Sequence, residues 1–202
     1  MLDTIFGANP QLRRTQSRIA HALFRAGISA DIATALGAAA GVGAGLAFCL
    51  GATATVAGVV LLVASATLDA VDGTIARECG RPSALGGVLD LCSDRVVEAA
   101  VILGIAWPRP ELHLPALMLV ASWYVNITVF LSVGAALEHR GPKLIEYPPG
   151  ILERTEAILF FIAIAVLRPL GPTLCYLFVA LEVATGLQRL IFGWRKLRAP
   201  GL

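Results

Sequence analysis

Four aspartates, Asp69, Asp72, Asp90 and Asp94, carry the chemistry that this sequence makes available. Asp69 and Asp72 stand three residues apart, and Asp90 and Asp94 four apart. Those spacings put each pair on one face of a helix. The short connection between the pairs makes the two helices antiparallel neighbours, so the four carboxylates converge on one point. A carboxylate costs about 2.5–3.5 kcal/mol at the centre of a bilayer on insertion scales, and mutual repulsion adds to that. Divalent cations are the simplest remedy: Mg²⁺ or Mn²⁺, hard ions held by carboxylate oxygen and completed by water and substrate phosphate. Gly73 and Gly86 have no side chain and let a ligand approach the backbone closely. Arg77 offers a planar donor fork for phosphate. Carboxylates, cations, open backbone and arginine together describe phosphoryl transfer. A single Asp at a helix end is ordinarily a cap or a solvated residue. Four at these spacings, in a chain poor in charge, read as a site.

The elements that must position them are membrane helices. The chain has 202 residues, 57% hydrophobic and 15% charged, with a net charge of +2. A soluble domain averages roughly 25% charged residues, and a single core of this size cannot hide so much apolar surface from water. The same hydrophobicity excludes a disordered chain. Apolar runs fall at residues 32–50, 55–68 (continuing helically into the charged stretch), 88–107, 112–137, 158–167 and 172–194. A crossing needs about 20 residues, so the fifth run must borrow residues 151–157, and the sixth carries Glu182 inside it. The expected fold is all-α: a polytopic membrane bundle of six transmembrane helices preceded by an amphipathic surface helix at residues 9–27. With both termini cytoplasmic, the inner side holds Arg13, Arg14, Arg18, Arg25, Arg77, Arg81, Arg95, Arg140, Lys143, Arg154, Arg189, Arg195, Lys196 and Arg198. Only Arg109 and Arg168 remain outside, the asymmetry that the positive-inside rule requires. Trp107 and Trp194 suit the interfacial belt.

Leu12, Ile19, Leu23 and Phe24 recur at helical spacing among Arg13, Arg14, Arg18 and Arg25, as in a helix lying on anionic headgroups. Gly37, Gly41, Gly43 and Gly45 in the first run read as a close-packing face rather than a nucleotide loop, since no strand precedes them. Cys49, Cys79, Cys92 and Cys175 have neither disulfide nor zinc spacing. No cleavable signal peptide is expected, because the first sustained apolar run begins only after Asp31.

The stretch from Asp69 to Asp94 resembles the signature of the CDP-alcohol phosphatidyltransferases, D-x2-D-G-x2-A-R-x8-G-x3-D-x3-D, with every fixed position filled. At background frequencies near 5–7% such a match has a chance probability on the order of 10⁻¹⁰. Residues 28–34 are similar to the family's Pro-Asn-x-x-Thr helix start, with Ala30 and Asp31 replacing Pro and Asn and Thr34 retained. The resemblance implies an enzyme that transfers a phosphatidyl group from a CDP-alcohol, CDP-diacylglycerol in most bacteria, to an acceptor hydroxyl with release of CMP. It implies Asp69, Asp72 and Asp90 as metal ligands for two divalent ions, Mg²⁺ or Mn²⁺. Asp94 would be the general base, touching a metal as well, and Gly73, Ala76, Arg77, Gly86 and Thr34 the CDP-alcohol contacts.

For the acceptor, a small polar alcohol, the expected contacts are Arg95, Lys143 and Arg154. These charges equally serve to set topology. A basic pocket favours a phosphorylated acceptor such as glycerol 3-phosphate or inositol phosphate. Glu98 and Asn126 are as readily interhelical hydrogen-bond partners as site residues. Residues 1–30 form a cytoplasmic amphipathic segment, 31–195 the enzyme domain and 196–202 a short cytoplasmic tail. The expected setting is a bacterial cell membrane with the active site facing the cytoplasm. A homodimer is compatible with the small-residue faces, and no nucleic-acid polymer is expected as a partner. A transporter or channel is the rival reading, but its carboxylates would lie near the bilayer midplane rather than at one face.

Overall fold

The computed structural model describes residues 10–80, 82–138, 150 and 152–198, and the regular elements among them are all helical. In order these are α1 (Pro10–Arg25), α2 (Ala30–Cys49), α3 (Thr55–Glu78), α4 (Ala84–Ala106), α5 (His113–Glu138), α6 (Arg154–Val166) and α7 (Gly171–Arg198). Short 3-10 turns stand at Gly51–Ala54, Pro110–Leu112 and Arg168–Leu170.

Local sequence fixes where these helices begin and end. Gly27, at φ +86°, takes the left-handed conformation that closes α1, and Ile28 N–H reaches back to Leu23 O at 3.0 Å. The Ser29 hydroxyl then accepts from Ile32 N–H at 3.3 Å to cap α2. Ser83 does the same for α4, accepting from Gly86 N–H at 2.9 Å. At α6, Glu153 and Glu156 form a reciprocal capping box. The starts of α2, α4 and α6 are thereby set at the end of the bundle where α3 finishes.

α2 packs most extensively on α3 and α4, α5 pairs with α7, and α6 joins α7 while touching α3 and α4. The glycines of α2 serve this packing: Gly37, Gly41 and Gly45 are buried. A Cβ on Gly104 of α4 would enter the backbone of Gly45, and one on Gly45 would enter that of Ala100. A second cluster forms where α1 crosses α3, with Ala20 against Val71 and Ile75. Trp123 of α5 meets Phe161 of α6 and Phe178 of α7 edge-on, at centroid distances of 5.8 and 5.7 Å, binding the other half of the bundle. Arg109, which sequence alone treats as a topology charge, is 4% exposed. It donates to the carbonyls of Ile164 and Arg168 at 2.8 and 2.7 Å, pinning the turn before α5 to the turn before α7.

By length and composition four segments can cross a membrane: Ala30–Cys49, Gly51–Glu78, Pro110–Leu137 and Arg168–Arg198. α4 is 23 residues long but carries Asp90, Asp94, Arg95 and Glu98. α6, at 13 residues, spans only about 20 Å. The second apolar run does continue helically through the charged stretch, as its pattern suggested, ending at Glu78.

Candidate active site

α3 delivers Asp69 and Asp72 from its last turns, and α4 delivers Asp90 from its first. One oxygen from each of these three carboxylates lies within 4.8 Å of the others, the one such group of potential metal ligands among the described residues. Thr34, near the start of α2, donates its hydroxyl to Asp72 Oδ2 at 2.6 Å. Thr34 therefore orients a carboxylate of this group, a contact that its expected place at the CDP-alcohol did not include.

Asp94 stands one turn further along α4, outside that group. Its Oδ1 accepts from Arg154 Nη1, and its Oδ2 faces Arg95 Nη2 at 3.9 Å. Arg154 is the first residue of α6, held there by the capping box, and its Nη2 reaches Asp69 Oδ1 at 2.9 Å. One guanidinium thus bridges the three-carboxylate group and Asp94. The donor set is hard oxygen throughout, the chemistry that Mg²⁺ or Mn²⁺ requires, so the residues fit a divalent cation.

The remaining signature residues lie at the end of α3 (Gly73, Ala76 and Arg77) and the start of α4 (Gly86). Arg77 is exposed, with Nη2 3.4 Å from Thr74 Oγ1. A Cβ on Gly73 would lie 3.1 Å from Arg77 Nη1, and one on Gly86 would lie 3.1 Å from the capping Ser83 hydroxyl and 3.5 Å from Asp31 Oδ1. The start of α2 thus sits beside the start of α4.

A cavity of about 140 Å³ opens beside Arg154, lined also by Arg95, Glu98, Asn126, Glu182 and Arg189 among others. Arg95 pairs with Glu98 one turn on, at 2.7 Å. Of the expected acceptor contacts, Arg95 and Arg154 are brought together here, and Lys143 lies outside the described residues. Arg189, Asn126 and Glu182 were not read from the sequence as one unit. Arg189 and Asn126 are 63 residues apart, and no local spacing joins them. The available signal was Glu182, an acid inside an apolar run.

A family model for CDP-alcohol phosphatidyltransferases matches residues 28–189. The chain is 33% identical over 149 residues to the archaetidylinositol phosphate synthase of Methanothermobacter thermautotrophicus, covering 71% of this chain and 72% of that protein. It is 28% identical over 196 residues to the phosphatidylinositol phosphate synthase of Mycobacterium tuberculosis, covering 90% of this chain and 86% of the relative. The fold is similar to the crystal structure of the Mycobacterium tuberculosis synthase with CDP-DAG bound: TM-score 0.75, 27% identity, 93% of this chain and 96% of that one. The same synthase in complex with manganese and citrate superposes with TM-score 0.74 at 27% identity, over 92% and 90% of the two chains. The filled aspartate signature, the helical bundle and these matches lead to one conclusion: the chain belongs to the CDP-alcohol phosphatidyltransferase family of membrane enzymes.

Proposed function

We propose that this enzyme transfers a phosphatidyl group from CDP-diacylglycerol to inositol phosphate, releasing CMP. The observation that carries the reading is the Arg154 bridge, which joins the Asp69–Asp72–Asp90 group to Asp94 at the edge of an arginine-lined cavity. Donor diphosphate and acceptor hydroxyl can then meet between the two. Relatives named for inositol phosphate products, and a structural neighbour with CDP-DAG bound, support the choice of both substrates.

Asp69, Asp72 and Asp90 would hold the divalent ions, two in number, with Thr34 keeping Asp72 oriented. When bound, the cations neutralise the diphosphate and stabilise the leaving CMP. Gly73, Ala76, Arg77 and Gly86 contact the nucleotide and its phosphates. Asp94 takes the proton from the acceptor hydroxyl as that oxygen attacks the lipid-side phosphorus. A new P–O bond to the acceptor forms, the P–O bond to CMP breaks, and the proton rests on the carboxylate. Asp94 suits this role because Arg154 holds Oδ1 while Oδ2 stands 3.9 Å from Arg95, which lines the cavity. Arg95, Arg154 and Arg189, with Lys143, supply the positive charge that a phosphorylated acceptor needs.

In the membrane, α4 and the short α6 complete six crossings within the enzyme domain, residues 31–195, each shielding its charges inside the bundle. α1 lies at the cytoplasmic surface with Leu12, Ile19 and Phe24 toward lipid, consistent with their exposure of 39%, 38% and 44%. The site faces the cytoplasm, and a second copy of the chain is a compatible neighbour in the bilayer. The test is product identity. Purified protein given CDP-diacylglycerol, Mn²⁺ and a panel of inositol phosphate, glycerol 3-phosphate, serine and free inositol should yield phosphatidylinositol phosphate by mass spectrometry of the lipids. A dominant product from any other acceptor contradicts the assignment.

A further inference from the structure

The cavity beside Arg154 contains an arrangement of which the reaction steps above use only Arg189. Arg189 donates its Nη1–H to Asn126 Oδ1 at 2.9 Å. Asn126 in turn donates from Nδ2 to Glu182 Oε2. Asn126 and Glu182 are buried, 7% and 6% exposed, on facing helices α5 and α7. An amide has one donor end and one acceptor end, whereas a carboxylate only accepts. Glu182 therefore decides which end of Asn126 meets Arg189. With the amide NH₂ held by the carboxylate, the carbonyl oxygen must face the guanidinium. Were the amide reversed, N–H would face N–H. A glutamine at 182 could reverse its own amide and so fix nothing, which gives a reason for a charged residue in an apolar helix.

The rest of the surroundings bear on the same guanidinium. Its Cζ stands 4.9 Å from the Phe130 ring centroid. A Cβ on Gly150 would lie 3.2 Å from its Nη2. Its Nε–H is buried with no hydrogen-bond partner among the described residues, as is that of Arg95 on the same cavity. Two cations with unused buried donors in one cavity are arranged for an anion.

We propose that Glu182, acting through Asn126, is a positioning residue that holds Arg189 turned to receive the acceptor's phosphate. The proposal rests on the acceptor reading above, because it requires a phosphorylated acceptor in this cavity. Initial-rate kinetics in detergent, with inositol phosphate varied at saturating CDP-diacylglycerol and Mn²⁺, test it. Glu182→Leu frees the Asn126 amide to turn, and it should raise the acceptor KM about ten-fold while lowering kcat by less. Asn126→Asp alone sets two carboxylates against each other and should raise the same KM. Combining Asn126→Asp with Glu182→Gln restores the chain with reversed roles: the new glutamine donates to the new aspartate, whose other oxygen accepts from Arg189. The pair should bring the acceptor KM back to within about three-fold of the unsubstituted enzyme, a coupling that additive structural damage does not produce. If Glu182→Leu fails to accumulate in the membrane, the rescue alone decides, and its absence overturns the proposal. An acceptor KM raised by Arg189→Gln but untouched at Glu182 and Asn126 overturns the positioning role and leaves the acceptor reading intact. If Arg189→Gln leaves the acceptor KM unchanged, or free inositol serves as well as its phosphate, the acceptor reading fails and takes this proposal with it.

Discussion

Asp94 differs from the three carboxylates beside it in what it touches, and that difference assigns separate consequences to each. Asp72 has Thr34 at 2.6 Å and the carboxylates of Asp69 and Asp90 within 4.8 Å, whereas Asp94 has Arg154 and Arg95. Asp72→Asn should therefore weaken Mn²⁺ binding, read by the free-ion EPR signal, along with turnover. Asp94→Asn should leave Mn²⁺ binding near that of the unsubstituted enzyme while lowering kcat by about 10²–10⁴-fold, the usual worth of a general base. Equal loss of metal binding in both would place Asp94 among the ligands instead. Arg154→Lys keeps the charge but loses the fork that spans Asp69 and Asp94, so kcat should fall at least about ten-fold with the protein still folded by circular dichroism. The aspartates were legible because a 26-residue stretch holds them all in fixed helical register. Arg154 was legible as an expected acceptor contact, but its bridge to Asp69 and Asp94 was not: those partners are 60 and more residues distant, and the contact depends on how α6 starts.

Helix ends and close helix contacts, rather than helix interiors, set the geometry of the site. The apolar runs revealed the course of α2, α3, α4, α5 and α7 to within a few residues, because continuous hydrophobicity marks a membrane helix whatever it packs against. They did not reveal α6 well. Its apolar part is short, and its beginning is decided by the Glu153–Glu156 capping box. Nor did they show that Arg109 leaves the surface to bind two carbonyls, since a charge between two prolines reads as exposed. The glycine face of α2 was legible as a packing surface, but which helix it meets was not. Since a Cβ on Gly104 would enter the backbone of Gly45, Gly104→Leu should separate α2 from α4. The expected destabilisation is about 1–3 kcal/mol, as for overpacking elsewhere, and turnover should fall with it because Asp90 rides on α4. A thermal-shift measurement in detergent beside the CMP assay checks this. Unchanged melting would mean that the two helices are not in contact.

At the scale of the molecule, the scarce charges divide into those that orient the chain and those that do chemistry. The proposed six crossings place α1, the aspartate cluster and the basic end of α7 on one side of the bilayer, with Glu111 on the other. In a cysteine-free background, single cysteines replacing Arg18 and Arg195 should resist a membrane-impermeant maleimide in intact cells and react after permeabilisation. One replacing Glu111 should react at once. Reaction of the α1 position in intact cells would overturn the orientation. In the proposed reaction the carboxylates, the arginine bridge and the cavity have one purpose: to bring a metal-bound diphosphate to an acceptor hydroxyl. The most direct test is CMP release from CDP-diacylglycerol by the purified protein with inositol phosphate, with Mn²⁺ or Mg²⁺ present, after chelation, and after the metal is restored. The account predicts release that requires both the acceptor and the metal, vanishes with chelator and returns with added ion. Release that continues undiminished under chelation, or none with metal and acceptor both supplied, would contradict it.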